Sequence, residues 1–170
     1  MGFFSRLMGG SDEQKTGASE FEILAPVSGE LVHLEKTNDP AFSSRAVGDG
    51  VAVVPQEGTV CAPVSGSVAA LFPTEHALGI MSDDSSAQVM LHIGIDTVKL
   101  EGKGFHALVA QGDHVDAGQP LVEVDFDAVR AAGFDPTVFV IVCERSENST
   151  LREHASGPVA VKEPVIWLSE

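Results

Sequence analysis

Cations are scarce in this chain: 10 Lys and Arg stand against 25 Asp and Glu in 170 residues, a formal net charge of -15 at pH 7. Nucleic-acid binding needs phosphates neutralised by Lys and Arg, so this balance excludes a broad nucleic-acid face. It also sets the chain against anionic lipid, while a basic protein partner would be steered inward. Cysteine occurs only as Cys61 in GTVCAPV and Cys143 in VFVIVCE, without CxxC or other metal-ligand spacing, and both read as buried free thiols. No apolar run has membrane-spanning length and no cleavable signal pattern is present, which predicts a cytoplasmic chain. Nor is MGFFSR a myristoylation signal, because Arg6 stands where Ser or Thr is needed.

What is present divides at about residue 20. Phe3, Phe4, Leu7 and Met8 precede GGSDEQKTGASE, which reads as a flexible polar linker. The first eight residues can form a short amphipathic helix on a membrane surface, although Arg6 is the sole cation before Lys15 and only weak contact is expected. Residues 21–170 read as a single domain. From Phe21 onward, short apolar or alternating runs are broken by Gly, Pro, Asp and Ser about every ten residues, the pattern of an all-β fold, an antiparallel β-sandwich or barrel-sandwich with few short helices. Strands are expected near 30–35, 51–55, 66–72, 76–82, 87–93, 120–124, 137–143 and 164–168. The best helical stretch is DAVRAAG, with Asp127 as its cap and Gly133 as its stop. APVSG occurs at Ala25–Gly29 and again at Ala62–Gly66, with partial echoes in SGPVAV and GDHVDAGQPL. Pro removes a ladder donor and Gly permits close backbone approach, so each copy marks a strand corner and the pair implies an internal repeat.

Of six histidines, His33, His106, His114 and His154 lie in polar or turn contexts and read as surface residues. His76 and His92 sit in HALGIMS and AQVMLHIGID, on either side of the turn-rich DDSS. In an antiparallel hairpin whose turn centres on Asp84, 76 and 92 face each other with Cβ atoms roughly 5 Å apart. A slip of one residue would separate them unless a bulge compensates. The pattern leaves two structural histidines open as well.

Two neutral imidazoles could ligate zinc, but a stable site needs further ligands and no HxH or HxxxH accompanies them. Alternatively one nitrogen attacks phosphorus while the second ring hydrogen-bonds the phosphoryl oxygens, which suits this pair better. The nucleophile then needs its other nitrogen fixed, and HIGID offers a glycine carbonyl two residues on.

The phrases APVSGE, VGDGVAV, APVSGSVAALFPTEHALGI, LHIGIDTVKLEGKGF and GDHVDAGQPL together resemble the glucose-type enzyme IIA component of the bacterial phosphoenolpyruvate-dependent sugar phosphotransferase system, from about Phe21 to Trp167. The resemblance implies that His92 is phosphorylated on Nε2 by the histidine phosphocarrier protein and passes the group to the sugar-specific IIB domain of a permease. It implies that His76 stabilises the phosphoryl group, that Thr74 orients His76, and that the Gly94 carbonyl orients His92. It further implies a docking depression built from Phe42, Val47, Phe72, Met90 and Val98, with Asp39 and Asp96 at the rim; the plainer reading puts these apolar side chains in the core. Phe72 lies four residues before His76 and Met90 two before His92, a parity that favours the site face. Met90 stands where the family commonly has an aromatic residue, and the amino-terminal segment lacks the family's lysines. No cofactor is implied beyond a zinc ion held by His76 and His92 and completed by a partner's carboxylate. Transporters, glycerol kinase and adenylate cyclase are implied as regulatory targets.

Two readings compete. A zinc-dependent hydrolase on a related β fold would need a third ligand, for which Asp96 is the near candidate. A biotin or lipoate carrier would need an exposed hairpin-tip lysine, for which Lys99 and Lys103 in VKLEGKG are the candidates.

Overall fold

The computed structural model describes residues 20–170, so the amino-terminal amphipathic segment lies outside the described residues. Within them every strand pairing is antiparallel. An eight-stranded sheet runs in the order β13 (Gly157–Val159), β2 (Gly29–His33), β3 (Asp49–Pro55), β11 (Val138–Arg145), β7 (Ala87–Ile93), β6 (Ala77–Ser82), β5 (Gly66–Leu71), β9 (His114–Val115). Two three-stranded sheets complete it: β1 (Phe21–Leu24), β14 (Pro164–Ser169), β12 (Thr150–Glu153), and β4 (Thr59–Cys61), β10 (Pro120–Val124), β8 (Phe105–Ala107). The expected all-β class holds. The strands the sequence did not mark, β1, β4, β8, β9, β12 and β13, have two to four residues, too short to display an alternation.

The doubled phrase is a structural repeat. Leu24 N–H donates to the Pro63 carbonyl at 2.9 Å, and Cys61 N–H donates to the Pro26 carbonyl at 2.8 Å, so each copy caps the other reciprocally. The two partial echoes dock alongside. Ala25 N donates to Glu163 and Ala62 N to Gln119, while Ser28 Oγ accepts from Val161 N and Ser65 Oγ from Ala117 N. Each copy ends in a glycine under a passing carbonyl: a Cβ on Gly29 would lie 1.9 Å from the Val54 oxygen, and one on Gly66 would lie 2.0 Å from that of Met81.

The large sheet buries both its faces in its centre. On β11, Val138, Val140 and Val142 enter the principal core between the sheets, with Leu31, Val53, Ile80 and Leu91. Phe139 and Ile141 point the opposite way, into a smaller cluster with Leu34, Phe42 and Ala52, against which Met90 and Cys143 pack. That is why VFVIV reads as a continuous apolar run. On β7, Val89, Leu91 and Ile93 face the principal core, leaving Met90 and His92 on the face of the smaller cluster.

The α-helices among the described residues are two, α1 (Pro40–Ser43) and α2 (Phe126–Ala131). The cap of α2 is Asp125, whose carboxylate accepts from Ala128 N at 2.9 Å, and not Asp127, because the helix starts at Phe126 so that its ring can be buried. Gly133 follows the helix with φ +89°, as a stop residue should. Cys61 is buried and Cys143 half-buried, both free.

Candidate functional site

The two histidines are brought together, in a different register from the one expected. The hairpin loop Asp83–Ser86 has four residues, so its centre falls between Asp84 and Ser85, and His92 pairs with Ala77, not with His76. A regular strand would then send the rings to opposite faces. It does not, because β6 begins only at Ala77, and the preceding bend contains Glu75 at φ +61°, which breaks the two-residue alternation. His76 still joins the ladder through its carbonyl, which accepts from Ile93 N at 2.7 Å. The rings lie edge to face with centroids 5.1 Å apart and planes at 84°.

Each ring is held at Nδ1. His92 Nδ1 lies 2.8 Å from the Gly94 carbonyl, and His76 Nδ1 lies 2.6 Å from Thr74 Oγ1. A carbonyl can only accept, so His92 carries its proton on Nδ1 and presents the lone pair of Nε2. Gly94 adopts φ +79°, and a Cβ there would lie 2.3 Å from Thr97 Cγ2. Only glycine fits this carbonyl's position, and Thr97 secures it by donating its hydroxyl to the Ile93 carbonyl.

Burial keeps both rings neutral at pH 7. His76 is 3% exposed, and burial, followed by the neighbouring His92, pushes its pKa from 6.5 down to about 4. His92 is also lowered by burial, against the opposing pull of the Gly94 carbonyl and the carboxylates of Asp39 and Asp96.

Around the pair, the apolar residues divide into wall and rim. Phe42 is buried, 5% exposed, with its ring 5.1 Å from His92 and stacked on Phe139 at 4.3 Å. It is therefore a wall beside His92 instead of part of an open surface, since α1 lays it across the smaller cluster. Phe72 meets His76 edge-on at 5.5 Å and is 47% exposed. Val47 and Val98 are exposed too, and Met90 is half-buried beside His92. Opposite Met90 stands Gly79, where an added Cβ would meet only the Gln88 Nε2 at 3.7 Å, so a methyl group would be accommodated there. Asp39 caps α1 by accepting from Ala41 N at 3.0 Å. Asp96 is exposed, at φ +59°, before the 3-10 turn Thr97–Leu100.

Several supporting residues were not legible beforehand. Phe139 approaches His92 at 6.2 Å, and nothing in local spacing ties it to Phe42. Arg45 pairs with Glu35 at 2.7 Å, Asp49 at 3.2 Å and Glu153 at 2.8 Å, fastening the α1 segment to the sheets. Glu153 also meets His33 Nδ1 at 2.8 Å. His114 with Asp83 and His154 with Glu163 are paired as well, so three of the four remaining histidines have carboxylate partners, two of them at long range in sequence. The described residues contain no group of three or more His, Cys, Asp or Glu placed to hold a metal ion, so a hydrolase reading lacks the third ligand it requires. None of the described helices is long and apolar enough to cross a membrane.

Comparison with known proteins identifies the family. Residues 21–148 match the model of the family described as phosphoenolpyruvate-dependent sugar phosphotransferase system, EIIA 1. The chain is 40% identical over 170 residues to the beta-glucoside-specific EIIBCA component of Bacillus subtilis, covering 99% of this chain and 28% of that protein. It is 41% identical over 144 residues to the glucose-specific EIICBA component of Streptococcus pneumoniae, covering 85% of this chain and 20% of that one. The chain thus spans about a quarter of the length of these curated relatives. Among solved structures, glucose permease IIA from Mycoplasma capricolum superposes with a TM-score of 0.80 at 34% identity, covering 88% of this chain and 96% of that one. With its fold, its paired histidines and 128 consecutive residues matched, the chain belongs to the EIIA 1 family of the phosphoenolpyruvate-dependent sugar phosphotransferase system.

Proposed function

We propose that residues 21–170 act in the cytoplasm as a phosphoryl relay in which His92 takes the group from a phosphohistidine of the small phosphocarrier protein and hands it to a sugar-specific IIB domain. The observation that carries this is the pair of imidazoles at 5.1 Å, both engaged at Nδ1. The Nε2 lone pair of His92 attacks phosphorus in line; the P–N bond of the donor breaks, and its electron pair returns to the donor ring. His76 assists as an Nε2–H donor to the phosphoryl oxygens, the tautomer in which Thr74 gives its hydroxyl proton to Nδ1. Two phosphohistidines are close in energy, so catalysis consists of positioning and exclusion of water.

Phe72, Val47, Val98 and Met90 form the docking rim, with Asp39 and Asp96 steering a basic partner. Phe42 supports His92 from beneath. Phosphate adds negative charge to this surface and weakens docking of partners that prefer it bare, which is the basis for regulation of transporters, glycerol kinase or adenylate cyclase. The same two Nε2 atoms are available to a zinc ion whose remaining ligands come from a partner, where the ion would cross-link the two proteins. The relatives' names, EIIBCA and EIICBA, join the A component to B and C components, which supports a permease as the acceptor.

The test is phosphorylation from phosphoenolpyruvate through enzyme I and the phosphocarrier protein. His92→Gln takes up no stable label; His76→Gln is labelled but passes phosphate on poorly. Acid-stable label, or full labelling of His92→Gln, overturns the assignment.

A further inference from the structure

We infer that Glu75 is the positioning residue that sets the reactive geometry of His76. The proposal rests on the relay reading above and adds a residue to it. Glu75 separates Thr74 from His76 and holds φ +61°, a left-handed conformation that glycine adopts freely and a Glu side chain adopts at a cost. Across this bend Thr74 Oγ1 reaches His76 Nδ1 at 2.6 Å. The loop closes on itself through Glu75 N to the Phe72 carbonyl at 2.8 Å and Phe72 N to the Ala77 carbonyl at 3.0 Å.

Backbone preference alone would favour glycine at 75, so the side chain must contribute something glycine cannot. Its half-buried carboxylate crosses to the other sheet and accepts from Ala107 N at 3.2 Å. Ala107 lies on β8, the edge strand of its sheet, paired on one side only, with Val122. Glu75 therefore satisfies an edge N–H with a charge-assisted bond and ties the His76 bend to a second sheet. The bend is the one place where His76 leaves the alternation of β6. Thr74 and the hydrogen bonds of the bend hold the ring locally, and the Glu75 carboxylate is the side-chain bond that ties this bend to the second sheet.

The experiment compares Glu75→Gly and Glu75→Gln with the wild-type chain. Gly removes the tether and the backbone strain together; Gln keeps an oxygen that can accept from Ala107. Nitrogen-15 spectra of the His76 ring report its tautomer and its bond to Thr74, independently of any phosphoryl chemistry. Phosphate transfer from labelled His92 to the IIB acceptor reports function. In Glu75→Gly, the His76 nitrogens shift towards those of a mixed-tautomer ring and onward transfer slows about tenfold, while His92 is still labelled by its donor. Glu75→Gln stays within about twofold of wild type, since positioning is retained. Wild-type ring shifts and transfer rate in Glu75→Gly overturn the proposal, as does failure of Gln to rescue. If wild-type His92 takes up no label, the relay reading fails, and the ring spectra still decide for or against Glu75.

Discussion

His76 loses its proton to burial, and this has a consequence for stability. In the unfolded chain its ring titrates near the ordinary 6.5, whereas in the folded one it stays neutral down to about 4. Between those values the unfolded state binds more protons, so stability falls as pH drops through the window and is fully present above it. At roughly 1.4 kcal/mol per pH unit, the fall is on the order of 3 kcal/mol. Urea midpoints at pH 7 and pH 4.5 should therefore converge in His76→Gln relative to wild type; an unchanged difference would refute the assignment of a neutral buried ring. Gly94 is the other decisive residue. Gly94→Ala sets a Cβ 2.3 Å from Thr97 Cγ2 and 3.0 Å from the Asp135 carbonyl, at a φ of +79°. The carbonyl must move off His92 Nδ1, so the variant should lose about 2 kcal/mol of stability or more and the single His92 tautomer, read from imidazole nitrogen shifts.

At the scale of elements, α1 is too short to hold itself, four residues carrying the ring that packs on His92. Arg45 holds it, reaching three carboxylates of which Glu153 is 14% exposed. These pairs fall between surface and buried bridges, so Arg45→Met should cost about 2 kcal/mol and weaken the Phe42–His92 proximity seen by NMR. Arg45→Lys should restore less than half of it, because an ammonium cannot reach the three partners that a guanidinium fork serves. An Arg45→Met chain with wild-type stability would show α1 to be held by packing alone. None of this was visible beforehand, since Arg45 and Glu153 are 108 residues apart. By contrast β7 was expected over 87–93 and is found as Ala87–Ile93, because an alternating run bounded by turn residues is a local signal. The hairpin's register was missed by one because loop length, not the identity of the turn residues, sets it.

For the whole molecule, the reciprocal bonds of the two APVSG copies make equivalent demands at Gly29 and Gly66. Gly29→Ala and Gly66→Ala should each destabilise by about 2 kcal/mol or more, whereas Gly79→Ala, with open space and no forced φ, should change stability by less than about 0.5 kcal/mol. Chemical denaturation of the three variants checks this; a benign Gly66→Ala would break the equivalence. The net charge of -15 makes a second demand. If a basic partner docks on the histidine face, its association rate should fall several-fold as salt rises through about 0.15 M, with dissociation little changed, because steering acts on encounter.

By itself the sequence determined the β class, the corners, the internal repeat and the two histidines that one hairpin carries, because strand alternation, Pro and Gly placement and motif spacing are local properties of a chain. The tertiary structure alone decided how those rings meet: a four-residue loop put them out of register, a left-handed bend at Glu75 brought them back, and Phe42, Phe139 and Arg45 closed around them from distant segments. Such contacts depend on which surfaces become neighbours when the sheets pack, and no periodicity in the chain encodes that.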